Sequence, residues 1–418
     1  DKKFLSIPRE ILILTMQSHQ KYFPLFSKKD EITNEFLVVA NNKDQKGLIK
    51  IGNERVVEAR LRDAEFFWNK DKSQNLVKKI SKLKLMNFFR GLGTYFDKVQ
   101  RMRKLGALIS DELLISKEKV ELSASICKTD LMSESVREFP ELQGVMGSHL
   151  AQAQGFDKDI VDALKEQYLP IGLDSTVPKK PFNITLSITD KIDTLVGFFG
   201  INEKPSSSKD PYALRRSALG IIRIIIENKK DLKISDLISY TSNMYLDQGF
   251  TFSNNSLHKD ISIFLKDRFK YYLKEKNIRH DIIEAASKAF NLNTISSTFE
   301  KAKSLNKIIN KKTGEDIVSS YKRASNILYS EVNDINKDIT NVIDPGIFKN
   351  DYEKDLYKKI NELRKYFAGI SSDEQFDETL ILLASTKKEI FDFFDNVKVN
   401  EENETLRKNR LELINMLC

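Results

Sequence analysis

Hydrophobic and polar positions follow two different periods along this chain. Near the start, the short β-rich runs at residues 11–16 (IleLeuIleLeuThrMet) and 35–41 (GluPheLeuValValAlaAsn) are separated by polar, proline-containing text. Each reads as a strand. The stretch from Asn41 to Gly47 reads as a turn, with residues 49–51 beyond it. From Gly52 the spacing becomes helical: Val56, Val57, Leu61, Ala64, Phe67 and Trp68 trace one face. Past about residue 76 almost nothing reads as sheet. Leu76, Ile80, Leu83 and Leu85 lead to Phe88, Phe89 and Leu92, and then to Val99, Met102, Leu105, Ile109, Leu113 and Leu114.

Loops rich in proline, lysine and serine interrupt the stripes at 169–183 and 202–211. Directly after the second, Asp210 reads as an N-cap and Pro211 as the first helical residue, with Ala218, Ile221, Ile222 and Ile225 as the core face. The strongest amphipathic run lies at 265–274, and the last helical block is punctuated by Asp344-Pro345-Gly346 and by a polar loop at 399–404. No internal repeat occurs. The fold class expected is mainly α with a small α/β part in front. Four regions are predicted: 1–75 mixed α/β, 76–230 helical, 231–296 connecting helices, and 297–418 a helical bundle.

Composition narrows the function. At 418 residues, of which 40% are apolar, the chain exceeds one ordinary core. Its cysteines, Cys127 and Cys418, form no CxxC pair, which argues against a disulfide framework or thiolate zinc site and fits a reducing cytoplasm. No run of about 18 apolar residues suggests a membrane span. The chain starts at Asp1 and reads as a fragment. Its net charge of +8 suits a polyanion, or else describes a solvated lysine-rich surface. The charge is uneven. Residues 297–418 hold 20 basic and 22 acidic side chains, leaving 48 and 38 upstream. Phosphate grip of low specificity is therefore expected mainly before residue 297, and recognition by a few placed residues after it.

No phosphate-cradling glycine loop, dinucleotide turn, HExxH, GxSxG or zinc-deaminase signature occurs. Class I synthetase signatures are missing too. His19, His149, His258 and His280 stand apart and read as surface or packing residues. One arrangement resembles the all-α HD phosphohydrolases, which hold a divalent cation with a His-Asp dyad and a distant Asp. Here Thr129-Asp130 stands at the dyad and Asp190 at the distant acid, with Asp193 one turn on. Thr129 offers a hydroxyl where an imidazole is required, so no metal site is expected. Asp130 and Asp190 are expected to cap or pair inside a helical core.

Longer segments are more specific. They include SerHisGlnLysTyrPhePro at 18–24, the run at 52–68 ending AlaGluPhePheTrp, and CysLysThrAspLeuMetSerGlu at 127–134. GluPheProGluLeuGlnGlyValMetGly at 138–147, ThrAspLysIleAspThrLeuValGlyPhePhe at 189–199 and the run at 208–225 follow in order. Together they resemble the beta subunits of bacterial α2β2 glycyl-tRNA synthetases, over nearly the whole chain. The segments at 321–328, 391–399 and 406–411 are similar to the DALR-type anticodon-binding module of arginyl-tRNA synthetases.

The resemblance implies a front part left from an N-terminal tRNA-binding region, a degenerate metal-free HD-like domain over 76–230 and an anticodon-binding domain over 297–418. It implies that the chain has no catalytic residues and works with an alpha subunit that uses ATP and magnesium to activate glycine, while this chain recognises tRNA(Gly). The alternatives are an HD-type metal-dependent nucleotide phosphohydrolase and a non-enzymatic helical scaffold.

For the anticodon, Lys322, Arg323 and Asn326 are expected from one helix and Arg407, Asn409 and Arg410 from the last, because guanidinium forks grip phosphates and stack on bases while Asn reads base edges. Arg407 and Arg410, three apart, should share a face. Phe391, Phe393 and Phe394 form either a stacking platform or core. Lys209, Arg215, Arg216 and Arg223 either touch tRNA backbone or the alpha subunit, or pair with Asp190, Asp193 or Glu227. Lysines between 301 and 312 are candidates for weak phosphate contacts.

Overall fold

Helical spacing accounts for nearly every element of the structure, a computed structural model that describes residues 1–18, 20–206, 209–332, 343–369 and 376–417. His19, Ser208 and Cys418 lie outside the described residues. The chain divides into two compact units, Asp1–Phe269 and Lys270–Cys418.

In the first unit, α1 (Arg9–Gln17) precedes an antiparallel hairpin of β1 (Phe23–Phe26) and β2 (Ile32–Leu37). Then come α2 (Leu48–Lys72), α3 (Leu76–Lys79) and a tiny second hairpin, β3 (Asn87–Phe89) with β4 (Gly93–Thr94). The helices α4 (Tyr95–Leu113), α5 (Lys117–Ile126), α6 (Glu134–Glu138), α7 (Val145–Ala153), α8 (Lys158–Glu166), α9 (Pro181–Gly200), α10 (Leu214–Asn228) and α11 (Ile234–Asp247) follow. The division falls on α12 (Leu257–Glu275). The second unit continues with α13 (His280–Lys288), α14 (Ile295–Ile308), α15 (Lys312–Val332), α16 (Asp351–Gly369), α17 (Phe376–Ala384), α18 (Lys387–Asn396) and α19 (Glu404–Asn415). The chain is mainly α, with its small mixed part in front, as the hydrophobic spacing predicts.

Three local readings are corrected. Residues 11–16 are helical, not extended: Ile11 and Leu12 are buried together with Thr15 and Met16 one turn on, so the apolar run packs one helical face. Residues 49–51 form the first turn of α2, which starts at Leu48, ahead of Gly52. Asp210 does cap, but from farther out. Its carboxylate accepts from the backbone N–H of Leu214 at 2.8 Å and Arg215 at 3.0 Å, while Pro211 and Tyr212 form a turn before α10. Ala218, Ile221, Ile222 and Ile225 are buried as expected.

α9 is the axis of the first unit. It is buried along most of its length and contacts α4, α8, α10 and α11. Small residues let neighbours approach. A Cβ on Gly197 would collide with the Tyr245 hydroxyl and come within 3.1 Å of Leu92. Gly197→Ala is therefore expected to cost about 1–3 kcal/mol, read as a lower denaturation midpoint, because overpacking displaces a buried ring. The second unit has its own core, in which Leu356, Ile360, Phe393, Leu411 and Leu413 meet.

Candidate functional site

In the first unit the helices bring the suspected acidic positions together. Thr129 and Asp130 lie on a single 3₁₀ turn, Thr129–Met132. The Thr129 hydroxyl donates to the Ile126 carbonyl at 2.7 Å. Asp130 accepts from the N–H groups of Gly144 at 2.6 Å and Gly147 at 3.1 Å, and so ties down the start of α7. Burial raises the Asp130 carboxyl, and these two N–H groups oppose the rise.

Asp190 and Asp193 project from α9 into a cluster of buried cations. Lys128 lies 2.9 Å from Asp190 and Lys98 3.3 Å. Asp193 receives Arg101 at 2.6 Å and Lys98 at 3.0 Å. Burial alone would raise the Asp190 carboxyl, but Lys128 and Lys98 overcome it and hold it well below the usual carboxylate range. Asp193 is likewise lowered against burial, by Arg101 and Lys98. Tyr245 donates to Asp193 at 3.3 Å, and the Arg101 guanidinium lies over its ring, 3.6 Å from the centroid. Lys128 also donates to Gln167 and to the Tyr168 hydroxyl, both at 3.0 Å.

This arrangement fits a structural network better than a metal centre. A divalent cation needs free carboxylate oxygens, and here two ammonium groups and a guanidinium already occupy the space around them. Among the described residues, no group of three or more His, Cys, Asp and Glu side chains is placed to hold a metal ion. The pairing of Asp190 and Asp193 was foreseen; the partners were not. Of the α10 arginines, Arg223 makes the expected pair with Glu227, at 2.7 Å, and Arg215 donates to the carbonyls of Ser206 and Lys209; Asp190 and Asp193 take their cations from Lys98, Arg101 and Lys128 instead. Arg216 and Lys209 are exposed. The missed signal is in α4: Lys98 and Arg101 share the stripe of Met102, Leu105 and Ile109, so two cations stand on a core-facing surface.

A cavity of about 530 Å³ lies beside the network, walled by Asp190, Lys191, Tyr168, Pro170 and Arg216 among others. Its buried lysine, Lys191, donates to the Leu169 carbonyl and Ser187 hydroxyl, both at 2.8 Å, and to the Tyr168 carbonyl at 3.3 Å. Those three acceptors use the donors of the ammonium.

Elsewhere in this unit His149 meets Glu10 at 2.8 Å and stands edge-on to Trp68. The contact with His149 lowers the Glu10 carboxyl to about 2. A depressed acid stabilises the fold above its unfolded value, so this contribution should be present above about pH 4.3 and fade as pH falls towards 2. Glu10→Gln should flatten the acid limb of the stability–pH curve in that window, as measured by urea titration at stepped pH.

The second unit separates the proposed anticodon residues into two kinds. Lys322 and Asn326 are exposed one turn apart on α15. Arg323 lies over Phe391 and Phe394 of α18, with centroid distances of 4.9 and 5.4 Å, and reaches Asp395 at 2.5 Å. Its side chain remains 32% exposed. Phe393 is fully buried.

Asn409 and Arg410 require correction. The Asn409 amide accepts from the Asp344 N–H at 2.8 Å and donates to the Asp344 carbonyl at 3.1 Å, fastening α19 to the Asp344-Pro345-Gly346 turn. Arg410 is buried against Glu353 at 2.6 Å and Glu401 at 3.3 Å, and donates to the Lys398 carbonyl at 2.7 Å. Glu353 in turn accepts the N–H groups of Lys349 and Asn350 ahead of α16. Both residues therefore hold the bundle together rather than face a ligand. Arg407 is half-buried on the same helix.

Residues 1–288 match the family model described as glycyl-tRNA synthetase beta subunit. The chain belongs to that family. Residues 317–417 match the model of the DALR anticodon binding domain, a stretch that holds Lys322, Arg323, Asn326 and Arg407. Among curated relatives, the glycine–tRNA ligase beta subunit of Rickettsia felis is 37% identical over 422 residues, covering 100% of this chain and 60% of the relative. Those of Rickettsia prowazekii and Rickettsia canadensis are 36% and 37% identical over 418 residues, with the same coverage. The chain thus spans about 60% of the length of the relatives it matches. Within the family match lie α9 and its charged network; within the DALR match lie most of α15, with Arg323, and all of α18 and α19.

Proposed function

We propose that this chain is the tRNA-holding portion of a glycine–tRNA ligase beta subunit. An alpha subunit, in an α2β2 assembly, would form glycyl-adenylate from glycine, ATP and magnesium. This chain would grip tRNA(Gly) so that the 3′ end reaches that site. Its binding energy goes into orientation, which speeds transfer without a reacting group here. The observation that carries the reading is the union in one polypeptide of a beta-subunit family match with an anticodon-binding-domain match. The filled acidic cluster argues against the phosphohydrolase reading, since Asp190 and Asp193 are engaged by Lys98, Arg101 and Lys128.

The site assigned to the anticodon loop is the exposed edge of α15, with Lys322, Arg323 and Asn326, and with Arg407 as a further contributor. Lys209, Arg215 and Arg216 are secondary candidates for tRNA backbone or the alpha subunit; Arg223 is committed to Glu227. The regions 1–75, 76–230, 231–296 and 297–418 are read as tRNA-binding remnant, HD-like domain, connector and anticodon-binding domain. The compartment is read as the cytoplasm; among the described residues no helix is long and apolar enough to cross a membrane.

Binding of tRNA(Gly) by the full-length polypeptide, measured over a salt series, tests this. Arg323→Ala and Lys322→Ala should each weaken binding several-fold and lower the slope of log K against log salt by about one. Unchanged slopes in both variants would remove this face from the interface, and the absence of any tRNA binding would defeat the reading.

A further inference from the structure

Helix α18 has two engaged faces. On one, Phe391, Phe394 and Asp395 meet Arg323 of α15. On the adjoining one, Lys388, Glu389 and Asp392 line a pocket of about 270 Å³ with Asp355, Lys358, Lys359 and Glu362 of α16. All seven side chains are charged, and among the described residues none makes an ion pair or a side-chain hydrogen bond. Partners are within reach. Asp355 and Lys359, Lys358 and Glu362, and Lys388 and Asp392 each stand four apart, the spacing at which opposite charges pair along a helix. Close by, Lys354 does pair with Asp351 and Arg323 with Asp395. Glu389 is the extreme case: its Oε2 is shut off from solvent and accepts no hydrogen bond. A buried acceptor without a donor is uncommon and costly.

The balance of charge sets the class of occupant. Four carboxylates against three ammonium groups do not favour a phosphate, and the three ammonium groups do not suit a metal ion. A neutral group with donors and acceptors along one edge satisfies both kinds of wall. The volume is smaller than pockets that hold whole drug-sized ligands, and suits one nucleobase. Tyr352, also in the lining and 40% exposed, offers a face to stack on. Single-stranded RNA is read in this way, by stacking a splayed base and by hydrogen bonds to its edge. Cytosine presents its N4 amine to a carboxylate, and N3 and O2 to ammonium groups; uracil puts an acceptor, O4, where the amine would be. Glycine codons begin with two guanines, so the second and third anticodon bases of tRNA(Gly) are both cytosines.

Building on the tRNA-holding reading, we propose that the α16–α18 pocket receives one anticodon cytosine, and that Glu389 accepts a hydrogen bond from its N4 amine. Glu389 is then a specificity-determining residue, whereas Arg323 on the neighbouring face supplies grip without choice of base. Both helices lie in the stretch matched by the anticodon binding domain.

Binding of three tRNA(Gly) transcripts by the full-length polypeptide tests the proposal: the natural sequence, and two in which the second or the third anticodon cytosine is replaced by uracil. At one of these positions uracil should weaken binding about 10-fold or more. Glu389→Ala should cut that discrimination to about 2-fold or less, by weakening only the transcripts that keep cytosine there, with the thermal midpoint unchanged. Arg323→Ala should weaken all three transcripts to the same extent and leave the discrimination intact. Discrimination that survives Glu389→Ala at both positions would overturn the proposal while the tRNA-holding reading stands. So would equal weakening of all three transcripts by Glu389→Ala, the mark of a merely structural role, or an unsubstituted polypeptide that binds the three alike. Failure to bind any transcript would defeat both.

Discussion

Replacing Asp193 with Ala should destabilise the first unit by about 3–5 kcal/mol, because it strips the counter-charge from two cations that cannot reach water. Lys98 and Arg101 are 2% and 1% exposed at the side chain, and Asp193 is fully buried. Arg101 would keep Gln248 as a partner at 2.6 Å, and Lys98 would keep Asp190 and Thr194, but neither would remain neutralised by Asp193. The Tyr245 hydroxyl would lose one of its two acceptors on Asp193. The effect is read as a fall in thermal midpoint, and at about 2–4 °C per kcal/mol for a unit of this size it should approach 10 °C. Glu58→Ala is the control: its pair with Arg62 is largely exposed, so its midpoint should hardly move. Replacing Lys98, Arg101 and Asp193 together by Met, Met and Leu should recover much of the loss, since apolar residues of similar volume often serve as well as a buried ion network. Recovery would place the cluster's role in the fold. The acid dependence has a definite sign. Asp190 and Asp193 are both depressed, so their contribution is complete above the ordinary aspartate value of about 3.9 and disappears as pH falls below it.

The second large effect is expected from Arg410→Ala. Glu353 is fully buried, and Arg410 is 3% exposed beside it. Losing the guanidinium leaves a buried carboxylate unpaired and the Lys398 carbonyl without its donor, for a cost of about 3–5 kcal/mol confined to the second unit. Arg410 stands beside residues assigned to tRNA contact, so an assay of binding alone would mistake this damage for a lost contact. The two roles separate in the salt series. Below its unfolding range Arg410→Met should keep the unsubstituted slope, because the residue touches no phosphate. Arg323→Ala should change the slope and leave the midpoint nearly untouched. The opposite pattern would exchange the assignments of these two arginines.

The outline of the fold was legible because its helices are long and amphipathic. The apolar stripe at Val99, Met102, Leu105 and Ile109 is buried in α4. Residues 11–16 were misread because an all-apolar run has no period to decide between helix and strand, and only the core under Ile11, Leu12 and Met16 resolves it. At Asp210 the residue type was right and the register wrong: the cap reaches Leu214 and Arg215 across a turn that sequence spacing does not reveal.

The candidate site was legible as positions and not as pairings. Thr129 in place of an imidazole pointed away from metal, yet which cations neutralise Asp190 depends on how α4 and the end of α5 meet α9, a tertiary fact. The same limit misplaced Asn409 and Arg410. A basic, polar helix face looks alike in sequence whether it meets solvent or a buried glutamate such as Glu353, 57 residues from Arg410. Lys322, Arg323 and Asn326 kept an outward aspect because α15 buries Ala324 instead.

Glycylation of tRNA(Gly) by a separately prepared alpha subunit, with and without the full-length polypeptide containing this chain, tests the central claim most directly. The account predicts that charging requires both, that this polypeptide alone forms no glycyl-adenylate, and that Arg323→Ala lowers charging through tRNA affinity while glycine activation is unaffected. Charging by the alpha subunit at an undiminished rate without this polypeptide, or nucleotide turnover by this polypeptide alone, would contradict it.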